Sequence, residues 1–484
     1  MNVFSGHPND FANDLEVVIH RVKVCSQGYA GIVGERALPK RHQLRRKNVL
    51  LNTRNCLQVL VKQLKATSIT SGLAHMKRAP IIIVGGGPVG AVMALALHRR
   101  EIPFVLLEAE ADVVEDQRAA TLHPPTLEMM SELGLLNTIR EEGLFAPVFR
   151  HWDRVSGRLV AEFDMAQLRN ETEFPYAIQF EQYKLVRLIL SHLSGAHGCE
   201  VHLRTKVQRI DDSGSDVVRV FAERDVDGKR ESVVFEGSYV IGADGGRSIT
   251  RQEAGIQFQG FTYPERFVKI MTPYNFIQAD SALALRNFFS DPVEWINLFK
   301  VIDKGPPGLW RIVYPVPEDQ SEEDALRAER IESTLQRFLP KKGAYEVCYL
   351  AIYRVHQRVA DRFRKDRLLL VGDAAHLNNP IGGMGMNGGI HDAVNLAEKL
   401  SVTYHQEGHD ELLTLYDRQR RTVAVDYVQA QTIRNKKELE ERDPAARQRI
   451  LDEMSEMAAD PVRSLKHLLR VSLLESVRSA NAIM

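Results

Sequence analysis

From Ala79 onward the apolar positions fall into three similar passages. Each is a short continuous apolar run, a glycine-rich turn, and then apolar residues at helical spacing. The first is IIIV at 81–84, then GGGPVG, then AVMALALHRR. Its run predicts a strand buried on both faces, and the residues after it predict a helix. The second is YVIGADGGRSITRQEAGI at 239–256, and the third is LLLVGDAAHLNNPIGGMGMNGGIHDAVNLAEK, ending at Lys399. In the third, Val394, Leu396, Ala397 and Leu400 mark a helix after a loop with five glycines between 382 and 389. Between these passages the pattern changes from runs to alternation. HWDRVSGRLVAEFD at 151–164 predicts a hairpin turning at Ser156-Gly157. The segments from Leu203 to Tyr239 predict antiparallel strands, and residues 260–350 predict a sheet rich in β-branched and aromatic residues. The segment SEEDALRAERIESTLQRFL and the tail after residue 405 predict helices.

The turns carry the chemistry. Gly85, Gly87 and Gly90 fit G-x-G-x-x-G in the required strand–turn–helix setting, with Pro88 inside the turn. Glu108 ends a second strand, FVLLE, about 20 residues downstream, where an acid accepts hydrogen bonds from ribose hydroxyls. Asp244 and Gly245 close the second run, and Asp373 closes the third, at the strand ends where open α/β sheets bind ligands. A helix start after glycines offers free N–H groups and a partial positive charge. Three strand ends, each bearing glycine and a carboxylate, exceed what one mononucleotide needs.

Together these segments resemble the single-component FAD monooxygenases of the para-hydroxybenzoate hydroxylase type, over most of residues 78–400. The resemblance implies an α/β fold with three parts. These are a discontinuous Rossmann-like FAD-binding domain (76–145, 179–260 and 350–404), an interleaved β-sheet substrate domain (146–178 and 261–349) and C-terminal helices (405–484). It implies that GGGPVG and Glu108 hold the adenosine and pyrophosphate, that Arg118 approaches the cofactor, and that Gln182 contacts flavin. Asp244 would serve FAD and the nicotinamide donor, and Asp373 the ribityl chain. Pro380, Gly385, Met386 and Asn387 would lie against the isoalloxazine ring. The implied activity is hydroxylation of a small phenolic or heteroaromatic substrate with NADH or NADPH and dioxygen, through a flavin hydroperoxide. FAD is expected to bind non-covalently, since no histidine or cysteine is placed for attachment. An oxidoreductase of the same fold that does not use oxygen, and a flavin-holding sensor without turnover, share the cofactor motifs.

Composition removes other classes. The 484 residues hold 63 basic and 63 acidic side chains, so no global field points to nucleic acid. The 4 cysteines are scattered without C-x-x-C spacing, and the 16 histidines form no H-E-x-x-H, which argues against a metal centre and for a reducing cytoplasm. The apolar stretch 81–97 is too short and too interrupted to be a membrane span. Residues 1–75 are basic, with KRHQLRRK at 40–47 and one short amphipathic piece near Cys56–Leu64, and are expected to be an upstream extension from an over-long reading frame or a partner-binding tail. Trp295, Trp310, Tyr263, Tyr274 and Phe288 are candidates for the pocket wall, and Arg286 and Arg311 for gripping a substrate carboxylate. No catalytic base stands out, and a homodimer stays open.

Overall fold

The computed structural model describes residues 78–214, 216–406 and 408–484. The basic leader and its amphipathic piece lie outside the described residues.

The run Ile81–Val84 has all four side chains buried, as a strand covered on both faces requires. It is central in a six-stranded sheet ordered Arg364–Lys365, Leu368–Leu370, Tyr239–Gly242, Ile81–Val84, Phe104–Leu107, Cys199–His202. All pairings are parallel except at the Arg364–Lys365 edge. Val84 is opposite Gly242, and Gly242 opposite Leu370. Parallel neighbours in register end together, so three turns distant in sequence emerge side by side. Helix Met384–His405 packs on helix Pro88–His98, which in turn packs on Gln182–Leu193.

The second large element is an eight-stranded sheet. Its order is His376–Leu377, Tyr349–Ala360, Phe258–Thr272, Leu309–Val316, Ile296–Val301, Arg286–Ser290, Val148–Asp153, Arg158–Asp164. Its last two strands form the expected hairpin, with Gly157 at φ +72 in the turn. The strand Tyr349–Ala360 pairs along Phe258–Thr272, whereas the sequence boundary at 350 gave it to the FAD-binding part. Its half-polar alternation belongs to a sheet with one busy face, and the nucleotide sheet resumes only at Arg364.

Alternation also sorts the candidate aromatics. On Phe258–Thr272, Val268 and Ile270 join Trp310, Ile312 and Tyr314 in a core that also holds Ile331 and Leu335 of helix Ala328–Phe338, with Tyr274 packed against it. Phe267 belongs to the opposite core with Phe288, and Trp295 packs on it edge-on. A three-stranded antiparallel sheet (Thr205–Asp211, Val218–Val226, Lys229–Gly237) precedes the strand Tyr239–Gly242. The tail is helical, and two of its starts repeat one device. Asp443 and Asp460 cap Pro444–Ala459 and Pro461–Val471 by accepting backbone N–H bonds, with proline next in the chain. No helix among the described residues is long and apolar enough to cross a membrane.

Candidate active site

The first turn shows a separate reason for each glycine. Gly85 has φ +100, and a Cβ there would stand 2.5 Å from the Ala243 carbonyl oxygen of the neighbouring turn. A Cβ on Gly90 would stand 1.9 Å from the Gly85 carbonyl oxygen, so the helix can approach the strand only with hydrogen there. A Cβ on Gly87 would meet nothing within 4 Å. This position faces open space at the start of helix Pro88–His98, the place for an anionic ligand. Glu108 reaches the same turn. It accepts from Gly86 N at 2.5 Å and Glu110 N at 2.8 Å, leaving lone pairs for ligand hydroxyls.

Asp244 and Asp373 differ sharply although both end strands. Asp244 accepts from Ser248 Oγ at 2.5 Å, Thr250 N at 3.0 Å and Thr250 Oγ1 at 3.1 Å. Its carboxylate therefore organises the D-G turn from within. Burial raises its pKa against the pull of those donors. The Asp373 carboxylate takes no hydrogen bond from any described residue and is open to solvent. The surrounding protein still crowds it enough to raise its pKa, with His376 and Arg118 opposing. An accessible, unpartnered carboxylate at a strand end is suited to a polyhydroxyl chain.

Gln182 opens helix Gln182–Leu193, half-buried, with its backbone N donating to Ala119 O at 3.0 Å. Arg118 is exposed and turned onto Asp116, 2.6 Å away. Asp116 also takes Tyr349 OH at 2.8 Å and Lys269 Nζ at 3.4 Å. Burial pushes its pKa up, but these partners outweigh it and hold it below the ordinary value. Burial pushes Lys269 down to about 8. Buried Arg311 donates to the Arg118 carbonyl at 2.5 Å and so supports this loop rather than a pocket.

The third turn leads into helix Met384–His405 through Gly383, at φ +67. Pro380 is exposed, Met386 is buried, and the ideal Cβ of Gly385 would lie 3.2 Å from Asn378 Oδ1. Asn387 is fully buried, and its amide is used completely. It accepts from His123 N (2.9 Å) and Thr126 Oγ1 (2.6 Å), and donates to Thr121 O (2.8 Å) and Gly383 O (2.7 Å). The motif that placed Asn387 at the ring thus marks the residue that pins the helix start, leaving backbone and neighbours to face a ligand.

Beside Gly382 opens a partly solvent-open cavity. Phe149, Phe288, Met165, Leu439, Leu451 and Met454 give it an apolar wall. Of the sequence candidates only Phe288 and Arg286 line it; Trp295, Trp310, Tyr263, Tyr274 and Arg311 do not. Arg286 is buried, and no carboxylate among the described residues is bonded to it. Its nearest polar contact is Met165 Sδ at 3.9 Å, and its Nε has no partner. Burial lowers it to about 10, so it stays a cation at neutral pH. Sequence reading missed His123, His151 and His467, which share the cavity; only their scatter among apolar residues marked them.

The glycine turns, with carboxylates at their strand ends, stand side by side, and the third borders an apolar pocket, an arrangement of the nucleotide-binding flavoprotein kind. Residues 78–431 match the family described as FAD binding domain, and the chain belongs to it. The chain is 35% identical over 378 residues to a para-nitrophenol 4-monooxygenase of Pseudomonas sp. strain WBC-3, covering 77% of this chain and 90% of that one. It is 32% identical over 365 residues to the 6-hydroxy-3-succinoylpyridine 3-monooxygenase HspB of Pseudomonas putida strain DSM 28022 / S16, covering 75% and 90%. The crystal structure of p-nitrophenol 4-monooxygenase PnpA from Pseudomonas putida DLL-E4 superposes with a TM-score of 0.76 at 33% identity, covering 83% of this chain and 98% of that one. The protein is an FAD-dependent aromatic monooxygenase.

Proposed function

We propose that the protein hydroxylates a small anionic phenol or hydroxylated N-heterocycle in the cavity beside Gly382, with NAD(P)H as electron donor and dioxygen as co-substrate. The observation that carries this is Arg286, a buried guanidinium in an apolar pocket with no counter-ion among the described residues. An unpaired buried charge is costly, and a ligand anion removes that cost. The nitrophenol and hydroxypyridine substrates named for the two relatives are of this class.

FAD, when bound, supplies electron transfer and oxygen insertion. The chain supplies the rest. Gly85, Gly87, Pro88, Gly90 and Glu108 would hold the nucleotide end, Asp373 the polyol, and Arg118 and Gln182 would lie at the approach to the ring. Gly385 and Met386, beside Pro380, would offer the helix start to the ring, and Asn387 fastens that helix start through its four hydrogen bonds. Asp244 and Gly245 shape the turn between them. Phe149, Phe288 and Leu451 exclude water, which favours productive transfer over release of peroxide. Phosphates of the donor suit a basic group near the D-G turn. There Arg358, Arg247 and Arg354, after burial, hold His356 below its ordinary pKa, and none of the three arginines is in a salt bridge with a described residue. The sheets favour an FAD-binding part and a substrate part built on the eight-stranded sheet. A cytoplasmic setting suits a user of NAD(P)H whose Cys199 and Cys348 are unpaired.

The test is a panel of phenols and hydroxypyridines scored for substrate-stimulated NADH or NADPH oxidation and for product formed under oxygen-18 gas. One labelled oxygen in the product is expected. Genuine product without label would sink the monooxygenase chemistry.

A further inference from the structure

The cavity's titratable groups can be read element by element. Ahead of helix Pro124–Glu132 stands His123, whose Nε2 lies 3.0 Å from the Gly382 carbonyl. A neutral ring making that contact carries its proton on Nε2, so the proton is already engaged. Strand Val148–Asp153 brings His151, stacked on Phe288 with ring centroids 4.9 Å apart. Strand Arg286–Ser290 brings Arg286. Helix Pro461–Val471 brings His467, its ring 4.5 Å from that of Phe163. Helix Ala430–Glu440 brings Glu438, bonded to Arg434 Nε at 2.6 Å. Helix Pro444–Ala459 contributes only Ile450, Leu451 and Met454. Tyrosine, lysine, cysteine and aspartate are absent from the lining.

A neutral phenol bound here would have to give its proton to one of these groups before its ring became strongly nucleophilic. The imidazoles are poor receivers. Burial and then Arg286 hold His123 at about 3. Burial, His467 and Arg286 hold His151 at about 3, and burial and Arg434 hold His467 at about 4. A proton placed on any of them would add a second cation to the pocket that already holds Arg286. Burial raises Glu438 above its ordinary value, with Arg434 opposing, which makes it the better base of the lining groups, but its carboxylate is taken up by Arg434 Nε. The one strong electrostatic demand in the pocket is for an anion.

We infer that the substrate enters this cavity already ionised, its ring oxygen pairing with Arg286, so that the enzyme selects ring hydroxyls acidic enough to ionise in solution rather than deprotonating them itself. The inference rests on the cavity being the substrate site. Proton balance is simple: the proton leaves the phenol to water before binding, and the anion neutralises Arg286 on entry.

The experiment uses holoenzyme with phenol, 4-chlorophenol, 4-cyanophenol and 4-nitrophenol, in order of rising acidity. Binding is read from perturbation of the flavin spectrum, and kcat/KM from product, across pH. Each substrate's acid limb should break at that substrate's own ionisation. Below the break, kcat/KM should fall about tenfold per pH unit. Glu438→Gln should leave every break in place. Arg286→Gln should weaken binding of the nitrophenolate about 10–100-fold, the range for losing a charged hydrogen-bond partner. A break at one common pH for all four, or one that moves in Glu438→Gln, reveals an internal base and overturns the inference. Leu451→Trp fills the cavity and separates the two failures. If that variant retains FAD and binds phenols normally, the cavity is not the site and both readings fall. If it blocks binding while the breaks coincide, only the ionisation inference falls.

Discussion

The neutral imidazoles should make the protein acid-sensitive in a way one substitution can isolate. Unperturbed, each has a pKa of 6.5; folded, His123 and His151 sit at about 3 and His467 at about 4. A histidine whose folded value is depressed contributes stability that is complete above its unfolded pKa and is lost as pH falls toward the folded one. Here that window runs from about 6.5 down to 3–4. Between pH 7 and pH 5 the unfolded chain takes up about 0.7 of a proton per imidazole and the folded chain almost none. That favours unfolding by about 2 kcal/mol for each. His151 owes part of its depression to His467, so the contributions do not simply add, but each is already a sizeable share of the roughly 5–15 kcal/mol that holds a domain folded. His467→Gln removes one titration while keeping a polar side chain. It will cost packing against Phe163 at every pH, so the informative quantity is the difference between pH values. Urea unfolding of the holoenzyme, followed by tryptophan fluorescence, should show a wild-type loss between pH 7 and pH 5 that exceeds the variant's by about 2 kcal/mol. Parallel pH dependences would refute the claim that half-buried His467 is held neutral.

Further outcomes follow from the cofactor groove. Gly90→Ala drives a Cβ to 1.9 Å from the Gly85 carbonyl and should lower both thermal stability and FAD content, whereas Gly87→Ala meets no protein atom within 4 Å and should lower FAD content alone. Equal melting temperatures for the two apoproteins would contradict this. Asp373→Asn should weaken FAD binding, read by flavin fluorescence, by about 1.5–3 kcal/mol while leaving the apoprotein no less stable, because the carboxylate has no protein partner to lose. A destabilised apoprotein would show a hidden partner. Asn387→Leu breaks four hydrogen bonds in a buried site and should cost about 2–4 kcal/mol of stability by urea unfolding; a cost below 1 kcal/mol would mean the helix start is held elsewhere.

The groove was legible because its parts are local. A buried strand, a glycine turn and a helix are written in consecutive residues, and parallel pairing then aligns Val84, Gly242 and Leu370 without further instruction. What each carboxylate does in its turn was not legible. Asp244 and Asp373 follow apolar runs of the same kind, yet Ser248 and Thr250 engage only the first. That difference lies in the residues four and six positions on, which fold back onto the carboxylate. Asn387 teaches the same point in reverse. Its place in the motif says it matters near the ring, and its four bonds show that it matters as a fastening.

The pocket resisted reading for a different reason: it has no motif. Its walls come from the loop at His123, the strands of His151 and Arg286, the turn at Gly382 and three tail helices, brought together only by the tertiary fold. Strand alternation is the one clue that survives in sequence, and it fails without the register. Trp310 and Arg311 are neighbours in the chain, but alternation sends the tryptophan into the far core and the arginine to the Arg118 loop. Arg286 and Arg311 both reach Phe299 in register from opposite sides, yet only Arg286 meets the cavity. If the cavity is the substrate site, the cofactor chemistry is carried by short contiguous motifs, while the choice of substrate is spread over contacts that no single segment contains. A substitution in the tail helices, far in sequence from every cofactor motif, is where a change of substrate would arise with FAD binding left intact.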